Sequence, residues 1–168
     1  YQALKALTSG AGNTAVGHQA MLDVVEGGFN TAIGYGAFGG SLDATADASA
    51  NNIFIGYNAG SGDWVTAVSG YNLGIGNNVM DAIMNGAGFN TAIGHASGSG
   101  ITTGDYNVFV GYDAGNDVTS GHNNIFIGNE AGDKTTDVGY SVIIGDAAGG
   151  ANMTAAADGS IGIGASAL

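Results

Sequence analysis

The chain has 168 residues, 45% of them apolar, which is enough for an ordered core, and it has no cysteine, so neither disulfides nor thiolate metal sites are available to it. Lys5 and Lys134 are the only cations against fourteen acidic residues, and the net charge of -12 repels phosphate backbones and anionic membrane surfaces alike. Proline is absent and the 33 glycines follow no Gly-X-Y period, which excludes collagen, while no apolar run approaches the roughly 20 residues of a membrane-spanning helix.

Read from the N-terminus, a five-residue box closing on glycine recurs nine times: Asn13–Gly17, Asn30–Gly34, Asn52–Gly56, Asn72–Gly76, Asn90–Gly94, Asn107–Gly111, Asn124–Gly128, Ser141–Gly145 and Ser160–Gly164. The closing glycines step by 17, 22, 20, 18, 17, 17, 17 and 19 residues. The basic coil is therefore about 17 residues, with insertions near 39–51, 61–71 and 77–89. Behind each box comes a weaker one with alanine in its third place in most copies, as in Tyr35–Phe38, Tyr57–Gly60, Tyr112–Gly115 and Asn129–Gly132. Tyr1–Leu4 reads as such a second box without its first, and Ala165–Leu168 closes the last coil. The expectation is a single domain over 1–168, cut in phase from a longer fibre.

Glycine every few residues and apolar runs of three argue against helices and for short strands. The reading is an all-β parallel solenoid with two short strands per coil. At about 4.8 Å per coil, roughly ten coils make a rod some 45 to 50 Å long. The box asparagines are expected to form a ladder of side-chain amides. The closing glycine permits a corner with φ > 0. Phe29, Tyr71, Phe89, Tyr106 and Tyr140, each just before a box, predict a partial aromatic ladder.

Side chains alternate along a strand, so each box has two faces. The penultimate residues Ile33, Ile55, Ile75, Ile93, Val110, Ile127, Ile144 and Ile163 are expected to fill the coil. Phe54, Phe109, Phe126 and Ile143 would then line up outside. Such a stripe is larger than a monomer normally exposes, and identical copies around an axis parallel to the rod would cover it.

The Asn-Thr-Ala-Ile-Gly-Tyr-x-Ala text resembles the head repeats of trimeric autotransporter adhesins. It is still more similar to repeats of phage tail-fibre proteins, which often carry a self-cleaving C-terminal chaperone. The resemblance runs over almost the whole chain, with departures at Gly74, Gly162 and the two longest coils. It implies a left-handed β-roll, a homotrimer, and a role in attachment to a host or surface.

Other chemistry is sparse. Gly34–Gly39 satisfies G-x-G-x-x-G only as a by-product of adjoining boxes, with no helix to follow. His18 and His95 occupy a slot where other coils carry tyrosine, which reads as a surface ladder. Turn carboxylates at Asp113, Asp117, Glu130 and Asp133 are the candidate ligands for Ca²⁺, and no other cofactor is expected. Asp63 and Trp64 in the second insertion form a sugar-binding pairing, weighed against Trp64 as a cap on the interior or a subunit seam. Met80, Ile83 and Met84 read as gap fillers.

A hexapeptide acyltransferase needs an aliphatic residue every six positions, whereas Ile33 is followed by Gly39 and Thr45; an ice-binding lattice needs more than Thr14, Thr31 and Thr91. The expected function is a non-enzymatic structural segment of a trimeric tail fibre or surface adhesin, on a virion or outside a cell. Its partners would be identical subunits and a host-surface glycan or receptor, with no nucleic acid and no membrane insertion. The alternatives are a glycan-binding or glycan-hydrolysing tailspike domain and a self-polymerising extracellular filament.

Overall fold

The computed structural model describes residues 2–42 and 46–168; Tyr1 and residues 43–45, including Asp43 of the first predicted insertion, lie outside the described residues. Each box becomes a three-residue strand: Thr14–Val16 (β1), Thr31–Ile33 (β2), Ile53–Ile55 (β3), Leu73–Ile75 (β4), Thr91–Ile93 (β5), Val108–Val110 (β6), Ile125–Ile127 (β7), Val142–Ile144 (β8) and Ile161–Ile163 (β9). All pair in parallel, in chain order, as one nine-stranded sheet. Box stands on box without slippage, Thr14 beside Thr31 and Ala32 beside Phe54, through to Ile144 beside Ile163. The result is a parallel β-solenoid of about eight turns. Among the described residues the only helical pieces are single 3₁₀ turns at Ala46–Ala48 and Ala155–Ala157.

The second box is a turn and not the expected second strand. Its second and fourth residues are left-handed, as at Asn58 (φ 51°) and Gly60 (φ 64°) or Asp113 (φ 51°) and Gly115 (φ 62°), and this alternation folds the chain back across the coil. The turns are still bonded coil to coil, with Asn58 N–H donating to Tyr35 C=O (2.9 Å) and Gly60 N–H to Val79 C=O (2.9 Å).

The expected inside and outside of the strands are exchanged. Phe54, Phe109, Phe126 and Ile143 are fully buried in the coil core, whereas Ile33, Ile75, Ile93, Ile127 and Ile163 are exposed and Ile55, Val110 and Ile144 half-buried on the outer face. The asparagine ladder is the reason. Asn52 N–H and Nδ2 both donate to Asn30 Oδ1 (2.9 and 3.2 Å), and the pattern repeats upward through Asn72, Asn90, Asn107 and Asn124. Each amide also crosses the coil to a backbone carbonyl, as Asn107 Nδ2 does to Gly121 C=O at 2.8 Å. The box asparagine must therefore point inward, and strand alternation then carries the third box residue in and the second and fourth out.

The interior is filled by matching sizes within each coil. Where the inward strand residue is small, the residue six positions later is large, as in Ala15 with Met21, Ala32 with Phe38 and Gly74 with Met80, and in the last coil Leu168 lies over Gly162 while remaining exposed. Where it is large the partner is glycine, as in Phe54 with Gly60, Phe109 with Gly115 and Phe126 with Gly132. A Cβ on Gly132 would lie 2.5 Å from the Phe126 ring, and one on Gly162 would lie 2.6 Å from Leu168. Ala92 with Gly98 is small on both sides because the Phe109 ring of the next coil reaches Gly98, within 2.9 Å of where its Cβ would sit.

This pairing makes a prediction. Phe126→Ala should cost about 3–5 kcal/mol by leaving a cavity. Adding Gly132→Phe should return at least half of that loss, since Phe38 already occupies the equivalent place with φ 48°. Thermal unfolding of the single and double variants measures both, and a double variant less stable than the single would refute the size rule.

Candidate interaction face

Because box positions two and four point outward, the sheet displays two columns running the full height of the solenoid. One is Thr14, Thr31, Ile53, Leu73, Thr91, Val108, Ile125, Val142 and Ile161; the other is Val16 and the eight penultimate residues expected in the core. Not one side chain of either column is charged, on a chain whose net charge is -12. Solvent exposure of 38% at Ile33 and Ile93 and 37% at Ile127 leaves these branched side chains in water along the whole rod.

An aromatic margin borders each side. Before the box, Tyr71, Phe89 and Tyr106 stack with ring centroids 4.8 and 4.9 Å apart and planes within 2° and 6° of parallel. The expected ladder thus exists in its middle. It does not continue to Phe29, since Asn51 intervenes, and Tyr140 instead meets His122 edge-on at 5.1 Å. The ring-bearing residues hold φ near +60°, a conformation uncommon for bulky side chains. Phe89 is stacked on both sides and Tyr71 and Tyr106 on one side each, contacts that offset part of the strain.

After the box, His18 stacks on Tyr35 (5.1 Å), Tyr35 on Tyr57 (5.6 Å) and His95 on Tyr112 (5.3 Å). Both histidines thus take the tyrosine slot, as their position in the repeat indicates. Asp113, through its charge and a hydrogen bond, pushes the Tyr112 hydroxyl above its ordinary pKa.

The remaining candidates do not converge. Trp64 is fully buried, with its ring 4.6 Å from Phe38 and 5.8 Å from Phe54, so it fills the coil where the insertion widens it and offers no surface to a sugar. The Leu42–Trp64 parallel bridge carries it there. Asp63 accepts a hydrogen bond from Ser41 N–H (2.9 Å), which ties two insertions together. Met80 and Met84 are buried as expected, but Ile83 points to solvent.

Asp113 sits on the coil next to Glu130, and Asp117 on the coil next to Asp133, with Glu130 N–H donating to Tyr112 C=O and Asp117 N–H to Asp133 C=O. Among the described residues no three His, Cys, Asp or Glu side chains gather into a group that could hold a metal ion. Burial raises the pKa of Asp81, opposed by its backbone hydrogen bond and the nearby His95.

A groove of about 370 Å³ lies along the outer side of the Tyr71–Phe89–Tyr106 ridge, walled by Val68, Gly88 and Asp105. Asp105 Oδ1 is anchored there by Gly88 N–H at 2.7 Å. No motif announces this groove, because its walls come from four successive connectors that only stacking aligns. No family model matches the chain, nor does any curated protein or solved structure.

Proposed function

We propose that this chain is a stiff structural segment of a homotrimeric fibre, working outside a cell or on a virion in the manner of tail fibres and surface adhesins, with a mechanical and presentational role and no catalysis. The observation that carries the reading is the uncharged aliphatic face running through all nine strands. Eight steps of about 4.8 Å by a strand-and-margins width of some 15 to 20 Å give roughly 600 to 750 Å² per copy. That exceeds what most monomers leave bare and is close to the ~800 Å² per partner of a stable interface.

Copies arranged about an axis parallel to the rod bury this face while leaving the acidic turns in water. The interface residues of the proposal are thus the outward aliphatics, such as Ile93, Val110 and Ile127, in place of the buried Phe54, Phe109, Phe126 and Ile143. Sedimentation equilibrium of the chain is expected to give a trimer. The double variant Ile93→Asp with Ile127→Asp is expected to shift it to monomer or to insoluble material. A wild-type chain that sediments as a folded, monodisperse monomer would overturn the reading.

A further inference from the structure

We propose that the groove beside the Tyr71–Phe89–Tyr106 ridge is the seat of the neighbouring copy's opposite margin, so that the copies interlock edge to edge around the fibre axis. The inference rests on the trimer reading and adds to it which surfaces meet. Three observations carry it.

The ridge rings are half exposed, yet they lie nearly parallel and less than 5 Å apart, so their faces are used up on each other. Only ring edges point outward, which offers no flat platform to a sugar but does offer a ridge for packing against another edge. The second observation is continuity. The ridge adjoins the aliphatic columns on one side, and the margin holding Tyr57, Asn77, His95 and Tyr112 adjoins them on the other.

The third is height. In every coil the second margin lies six residues after the first, Asn51 to Tyr57, Tyr71 to Asn77, Phe89 to His95, Tyr106 to Tyr112. Rotation about an axis parallel to the rod keeps equivalent residues level, so one copy's ridge and groove meet the next copy's second margin coil for coil. Asp105, the one charged wall of the groove among the described residues, belongs to the coil of Tyr112, but its carboxylate accepts from Gly88 N–H and so reaches the neighbouring coil, where that margin presents His95, whose imidazole supplies an N–H donor.

The chain has no native cysteine, which makes the test direct. Val68→Cys marks the groove and Asn77→Cys the opposite margin; both positions are exposed. Within one chain a three-residue strand and its flanking corners separate the two margins, and a cross-link formed inside one chain would leave a monomer band that cannot be taken for a covalent dimer.

The full chain carrying both cysteines is expected to give covalent dimers and trimers, and nothing larger, on a denaturing gel. Either single variant should give none, and Val68→Cys should be shielded from maleimide in the assembled particle. A parallel pair, Asn51→Cys with Tyr57→Cys, repeats the test one coil lower and guards against a local folding defect.

A chain that sediments as a trimer but does not cross-link, with Val68→Cys freely labelled, would overturn the seam and leave the trimer standing. Cross-linked dimers from a single variant would mean like margins meet like, and would also overturn it. A monomeric wild type would remove both readings together.

Discussion

Replacing Gly111 by alanine should remove more than about 4 kcal/mol of folding stability and sharply lower the melting temperature. Gly111 closes its box with φ 146°, where side chains are rarely tolerated, and a Cβ there would lie 2.1 Å from the carbonyl oxygen of Gly128 in the next coil. That oxygen belongs to backbone and cannot swing away, because the spacing of the coils is set on both sides by Gly111 N–H to Ile93 C=O and Gly128 N–H to Val110 C=O, each 2.9 Å. The φ strain alone costs about 1–3 kcal/mol. Relieving the overlap requires prising two coils apart, which takes the total beyond about 4 kcal/mol, a large share of any domain's stability.

Gly164→Ala is the internal comparison. It has a similar φ of 127° but nothing within 4 Å of the added carbon, so only the strain should appear. Thermal unfolding followed by circular dichroism measures both. Equal melting temperatures would mean that the corner yields, and would remove the steric account of why glycine ends every box.

Asn107→Ala should be the next most damaging change. Its amide accepts from Asn124 N–H and Asn124 Nδ2, both at 3.0 Å, and donates to Asn90 Oδ1 at 3.0 Å and Gly121 C=O at 2.8 Å. Alanine deletes all four and strands the Asn124 N–H and the Gly121 carbonyl among buried atoms. At about 1–3 kcal/mol for each buried group left unpaired, the loss should reach roughly 3–5 kcal/mol.

Serine should be milder. At Ser141 the hydroxyl already stands in for the amide, with Ser141 N–H donating to Asn124 Oδ1 (3.1 Å), its Oγ donating to Gly139 C=O (3.2 Å) and Ser160 N–H donating to that Oγ (3.2 Å). Denaturant unfolding of Asn107→Ala and Asn107→Ser is expected to rank alanine as the less stable. The reverse order would show that the ladder contributes through packing and not through its hydrogen bonds.

The repeat is legible because each recurring place answers to one local demand. Asparagine before an apolar triplet and glycine after it mark a strand with a ladder at one end and a tight corner at the other, and both are present in register from Asn13 to Ser141. The exchange of strand faces is not legible from hydrophobicity because, in Ile53-Phe54-Ile55 or Val142-Ile143-Ile144, both sides of the strand are apolar and neither is singled out. A signal was nonetheless present in the alternation of Ala, Gly and Phe at the third box place, matched six residues on by Phe, Met or Gly.

What the amino-acid order determined by itself was the parallel stack, its register and its buried amides, since these follow from like residues meeting like at a fixed spacing. Which face became core, where Trp64 went and that a groove runs beside the Tyr71–Phe89–Tyr106 ridge were decided only in three dimensions. They depend on a second box that folds back as a left-handed turn, bringing side chains six residues apart into one narrow interior and aligning connectors that are far apart along the chain.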